Sequence, residues 1–171
     1  ICCRVRLNSQ GNVLAITAPN ERNTSATPYL HVYTYNNISW VKEHEIDGYR
    51  LDAAHSCPAS FWKKSIERLK KIKNVLMLAE SDGYHTGGFE LIELFDMSYN
   101  WSGHHVLNRI YKKENNSEDL KLNINRNLND YSSKHVLMNF TSNHDENTWA
   151  GTVFDRYGDG AKTFAALTYF L

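Results

Sequence analysis

From residue 38 onward, short apolar runs alternate with amphipathic stretches. Residues 75–79 (VLMLA) form an unbroken apolar run ending in Glu80, the pattern of a strand buried on both faces of a parallel sheet. Residues 136–141 (VLMNFT) predict another clear strand, running into Ser142, Asn143, His144 and Asp145, and residues 94–99 (LFDMSY) predict a weaker one. Residues 46–52 (IDGYRLD) mix apolar and polar positions and finish on Asp52. Between residues 46–52 and 75–79, Phe61, Trp62, Ile66, Leu69 and Ile72 fall on one helical face with lysines opposite, which predicts a surface helix packed on a sheet or core. Ser56 and Pro58 stand where its cap and first turn belong. Helical patterns recur at 104–113, 118–128 and 159–171, and residues 38–45 (ISWVKEHE) are a short amphipathic segment. Residues 1–36 have a different texture. Asn and Thr recur, Pro19 and Pro28 interrupt, and LHVYTY (30–35) alone reads as a strand, so this stretch is expected to be an irregular segment apart from residues 37–171.

Repeated strand–helix units imply a parallel α/β sheet. Polar and acidic residues gather where the strands finish, as in a (β/α) barrel, whose active site is built at the carboxyl ends of its strands. A doubly wound open sheet would give the same alternation. It usually carries a glycine-rich phosphate loop after its first strand, and no such motif occurs here.

Composition narrows the classes. Lys+Arg and Asp+Glu balance at 19 each, which points neither to nucleic acid nor to an anionic membrane. Apolar residues make up 42 % of the 171, enough for a core, and no run approaches the roughly 20 residues of a membrane span. Cys2, Cys3 and Cys57 make neither a disulfide framework nor a C-x-x-C zinc motif. ICCRVRLNSQGN holds no apolar stretch of signal-peptide length, so the chain does not disclose a compartment. Tyr and Trp are plentiful and suit sugar stacking, but they serve ordinary packing equally well.

Asp52, Glu80 and Asp145 are carboxylates at three expected strand ends, spaced by one βα unit and then two. Glycoside hydrolysis needs such a set: one carboxylic acid to protonate the leaving oxygen and a carboxylate across the anomeric carbon. Arg50 precedes Asp52 by two, so on a strand both share a face, and a guanidinium there keeps the carboxylate ionised and oriented. His144 adjoins Asp145 as a donor to sugar hydroxyls. Singly, an Asp at a strand end is more often a helix cap or turn former. The conjunction carries the argument.

IDGYRLDAAH (46–55) resembles the second signature segment of the α-amylase superfamily, glycoside hydrolase family 13; LMLAES (76–81) resembles the third and FTSNHDEN (140–147) the fourth, all in the family's order. SCPASFW, FDMSYNW and MNFTSNHDENTW also look like its bacterial amylase and neopullulanase-like branch. The resemblance covers about residues 38–171. It implies a partial (β/α)8 TIM barrel, roughly strands four to seven with their helices, not closed by this chain alone. It also implies catalytic roles for Asp52 (nucleophile), Glu80 (general acid/base) and Asp145 (transition-state stabiliser), with Arg50 and His144 binding substrate. The implied partner is an α-glucan or maltooligosaccharide, and the implied scheme is retaining, with the two working carboxyls about 5 Å apart and Glu80 raised in pKa.

The family's first signature segment, with its Asn and His, is absent, as are the first three strands. A structural calcium belongs to the full-length family, but its usual ligands are not recognisable here. His55 and Ser56 replace the Lys-His pair common after the nucleophile. A full barrel takes about 250 residues, so a piece of a longer enzyme is expected, with little activity from this chain alone. A non-catalytic remnant, or a transglycosylase or isomerase using the same residues, remains an alternative. Relatives are often secreted or periplasmic.

Overall fold

The computed structural model describes residues 45–171 in full and the backbone of three strands in residues 4–34. Those strands, β1 (Arg4–Leu7), β2 (Val13–Ala18) and β3 (Tyr29–Thr34), form an antiparallel meander in which Arg4 pairs with Thr17 and Val13 with Thr34. The sequence pattern disclosed only the last of them. VLAITA is as apolar as a strand should be, but the surrounding Asn, Thr and Pro obscure the pairing that stabilises it. The amphipathic segment expected at 38–45 lies, but for Glu45, outside the described residues.

The second sheet is parallel, in the order β4 (Gly48–Leu51), β5 (Leu76–Ala79), β6 (Met97–Tyr99), β7 (Val136–Met138). Its register runs Gly48↔Leu76 and Leu51↔Ala79, then Ala79↔Ser98, then Tyr99↔Met138. Strands alternate with helices, so the described residues form an α/β arc, part of a (β/α)8 barrel whose β4 and β7 edges do not meet. At Gly48 any side chain would strike the Leu76 carbonyl, since a Cβ there would lie 2.6 Å from its oxygen, which lets β4 and β5 approach.

Successive residues of each strand face opposite sides. On the outer face Met77 and Ala79 are buried under the helix Ala59–Lys70, whose Trp62, Ile66 and Leu69 join them in one core with Val75, Leu91, Ile92 and Phe95. The helix thus buries the face its periodicity predicts. Its N-cap position is Pro58, however, and Ser56 instead ends a 3-10 turn, Ala54–Ser56. The inner face is only partly covered. Leu76 and Val136 are about half exposed there, so β5 is not covered on both faces as its apolar run suggested.

Farther along, helices Trp101–Tyr111 and Ser117–Asp130 follow β6; the second begins with a reciprocal capping box between Asn116 and Asp119. β7 ends at Met138, earlier than its apolar pattern, and Asn143 caps a short helix, His144–Trp149, through a bond from the Glu146 N–H. Helices Val153–Tyr157 and Ala161–Leu167 complete the described elements, the latter within the helical stretch expected at 159–171. No described helix is long and apolar enough to cross a membrane.

Candidate active site

Asp52 is the first residue after β4 and Glu80 the first after β5, each one step beyond the paired Leu51 and Ala79 and on the inner face. Adjacent strands lie about 4.8 Å apart, so the register alone brings these two acids side by side. Arg50, one pleat below on the same face, clamps both: one guanidinium nitrogen donates to Asp52, and Nη2 lies 2.5 Å from Glu80 Oε1. Its guanidinium carbon also sits 5.8 Å from the ring centre of Tyr99, at the end of β6. Burial works against the Arg50 charge, but Tyr99, Asp52 and Glu80 outweigh it and raise its pKa.

The turn after Asp52 serves Glu80. Ala53 adopts the left-handed conformation (φ 41), costing on the order of 1 kcal/mol for a residue with a Cβ, and aims its N–H at Glu80 Oε2, 2.8 Å away. The next N–H, of Ala54, reaches the Glu80 carbonyl at 3.3 Å. Glu80 is buried to 9 % exposure, whereas the Asp52 side chain is 76 % exposed. Two carboxylates at adjacent positions thus stand in unlike environments. Burial raises the Glu80 pKa; the Ala53 N–H and Arg50 oppose this, and the charge and hydrogen bonding of Asp52 add to it.

A carboxyl that holds its proton more tightly when folded contributes stability that is fully present below the ordinary glutamate range and lost as pH rises through the raised value. Glu80→Gln is therefore expected to flatten the decline in melting temperature as pH rises above the ordinary glutamate range. His55, His104 and His135, held low chiefly by burial, impose the opposite slope in parent and variant alike. Thermal denaturation of both proteins as pH is raised tests this; parallel curves would refute it.

His144 and Asp145 also lie beyond a strand's carboxyl end, but differently. They open the helix capped by Asn143 rather than ending β7, with 3.6 Å between His144 Nε2 and Asp145 Oδ2. Among the described residues no hydrogen bond or ion pair joins Asp145 to the Arg50–Asp52–Glu80 cluster. Sequence reasoning missed Tyr99 and the Ala53 N–H, although the FDMSYNW segment was noted. It also missed the bond from Asn100 Nδ2 to Asn139 Oδ1 (2.7 Å), which ties the ends of β6 and β7 together. The loops after β4 and β5 meet where the His55 and His85 rings lie 5.4 Å apart. A cavity of about 410 Å³ lies elsewhere, lined by Leu107, Leu120, Tyr131 and Leu137 among others, and contains neither Asp52 nor Glu80. No three described His, Cys, Asp or Glu side chains converge as a metal site.

No family model matches the chain, and no curated protein matches it. Solved structures do. The chain is 27 % identical to an alpha-amylase from Lactobacillus plantarum over 64 % of its own length and 29 % of that chain, with a TM-score of 0.57. It is 22 % identical to a noncanonic maltogenic alpha-amylase from Thermotoga neapolitana (68 % and 30 % covered, TM-score 0.54). A cyclic alpha-maltosyl-(1→6)-maltose hydrolase from Arthrobacter globiformis is 19 % identical (81 % and 36 % covered, TM-score 0.54), a likeness of fold. The chain spans about a third of the length of these proteins.

Proposed function

We propose that this chain, whose open parallel sheet is similar to part of an α-amylase-type barrel, carries the catalytic acids of a retaining α-glucan hydrolase. The observation that supports this most directly is the Arg50-bridged pair of Asp52 and Glu80 on neighbouring strand ends, one exposed and one buried. Retaining glycosidases hold their two carboxyls about 5–5.5 Å apart and inverting ones about 6.5–9.5 Å, and neighbouring strands about 4.8 Å apart favour the shorter separation.

In the proposed sequence of steps, Asp52 attacks the anomeric carbon while Glu80 gives its proton to the departing glycosidic oxygen. Water then enters, surrenders a proton to Glu80, and releases the sugar from Asp52 with its α configuration restored. Arg50 holds the Asp52 carboxylate in place through its guanidinium. Asp145 and His144 hold ring hydroxyls in the oxocarbenium-like state. In this reading residues 37–171 are part of a longer catalytic barrel, which the span of about a third of the similar proteins supports, and residues 1–36 are a separate segment.

The first product released from a maltooligosaccharide by the protein bearing this chain is expected to be the α-anomer, followed by proton NMR before mutarotation. A β-anomer would reject the scheme, and hydrolysis that persists in Asp52→Asn would reject the assignment of the nucleophile.

A further inference from the structure

Residues 141–145, which include His144 and Asp145, are fastened at both flanks to one buried side chain. His104, on the helix Trp101–Tyr111 and 2 % exposed, places Nδ1 3.2 Å from the Phe140 carbonyl and Nε2 3.0 Å from Glu146 Oε2. Its ring stacks on that of Phe140, with centroids 4.5 Å apart and planes 8° from parallel. Glu146 is held from a second side by Arg156, itself only 6 % exposed, whose Nη1 donates to the same Oε2 at 3.0 Å. Nη2 of Arg156 reaches Asn147 Oδ1 at 3.5 Å. A half-buried carboxylate is thus held by a buried guanidinium and a buried imidazole, an arrangement costly in desolvation. None of the three is a reacting group of the proposed hydrolysis.

We propose that His104, with Glu146 and Arg156, is a positioning clamp that fixes the segment carrying His144 and Asp145 for sugar binding. The sugar-binding part of this rests on the hydrolase reading; the clamp itself does not. Both flanking partners of the imidazole are acceptors, a carbonyl and a carboxylate, so only the imidazolium satisfies both at once. The neutral ring keeps one of the two bonds, and its bare nitrogen can then accept from Asn108 Nδ2, 3.1 Å from Nε2. The titratable or charged groups facing His104 are His105 on its own helix, Glu146 on His144–Trp149, and Arg156 through Glu146; from the end of β7 only a carbonyl faces it. Both bonds form together only as pH falls through a value that burial holds below the ordinary histidine range; above it the clamp keeps one fastening.

Amide hydrogen exchange on the full chain tests the clamp. His104→Phe keeps a flat ring against Phe140 and removes both hydrogen bonds. It is expected to speed exchange at the Glu146 and Asn147 amides, which bond to Asn143, by about tenfold, leaving the Glu80 amide unchanged. Glu146→Gln, of nearly equal volume, is expected to speed the same two amides by less, and carries the test should His104→Phe not fold. Acceleration spread equally over all three amides, or none, would overturn the clamp. In calorimetric titrations of the protein bearing this chain with maltoheptaose, His104→Phe is expected to bind about tenfold more weakly and to lose the tightening shown by the parent at lower pH. Parent-like affinity in the variant would overturn the positioning role. Failure of the parent itself to bind maltoheptaose would remove the carbohydrate reading, with the exchange result still deciding the clamp.

Discussion

Asp52→Asn in the protein bearing this chain is expected to lower turnover of a maltooligosaccharide by about 10⁴-fold or more, the scale on which losing a covalent nucleophile is felt. Because the Asp52 side chain is 76 % exposed, the substitution should leave unfolding free energy within about 0.5 kcal/mol of the parent. A loss of rate without a loss of fold is thus the expected signature. Glu80→Gln is expected to cost about 10²–10⁴-fold on the same substrate, the usual worth of a general acid. The two variants should part on an activated donor. A glycosyl fluoride leaves without needing a proton, so Glu80→Gln should release fluoride in a first burst, whereas Asp52→Asn should release almost none. Asp52→Asn also removes a negative charge that raises the Glu80 pKa, so titration of Glu80 should move down in this variant. Equal fluoride release from the two variants would assign the roles wrongly.

Of the two residues carrying this argument, Glu80 follows directly on a strand that local sequence specifies, whereas the mixed pattern of residues 46–52 marks Asp52 only as the acid that ends its segment. VLMLA is apolar enough to be a strand on its own account, and the register between β4 and β5 then sets Asp52 beside Glu80 without further information. Asp145 was legible only through the words around it. Its strand stops at Met138, and Asn143 starts a helix through a side-chain bond to the Glu146 N–H, so strand periodicity says nothing about where the acid lies. The same holds for β6. Three residues are too few to show a period of two, yet they deliver Tyr99 to Arg50 and Asn100 to Asn139. Ala53 was invisible for another reason: nothing marks an alanine for the left-handed region, and only the closeness of Glu80 to its N–H compensates the strain. The partly exposed inner face also misled, since an apolar strand reads the same whether or not the far wall of its barrel is present, and Leu76 is about half exposed.

Trp62→Ala is expected to cost about 3–5 kcal/mol, a large part of the 5–15 kcal/mol that holds a typical domain together. Trp62 is 7 % exposed and packs edge-on against Phe61 and Phe95, so its removal opens a cavity between the helix Ala59–Lys70 and the outer face of the sheet. The effect reaches the acids through one bond. Trp62 Nε1–H donates to the Ala54 carbonyl at 2.8 Å, and that turn supplies the Ala53 N–H to Glu80. Trp62→Phe separates the two contributions, since it keeps most of the buried area and gives up the bond, for an expected loss of about 1–2 kcal/mol. Once the turn is released, Glu80 loses a donor that favours its ionised form, and its pKa should climb further in both variants. Urea unfolding gives the first quantity and carboxyl-carbon NMR titration of Glu80 the second. If Trp62→Ala unfolded within about 1 kcal/mol of the parent, the outer-face packing would not be what holds β4 and its turn in place. If Glu80 titrated unchanged in Trp62→Phe, the path from the helix through Ala54 to the buried acid would not exist.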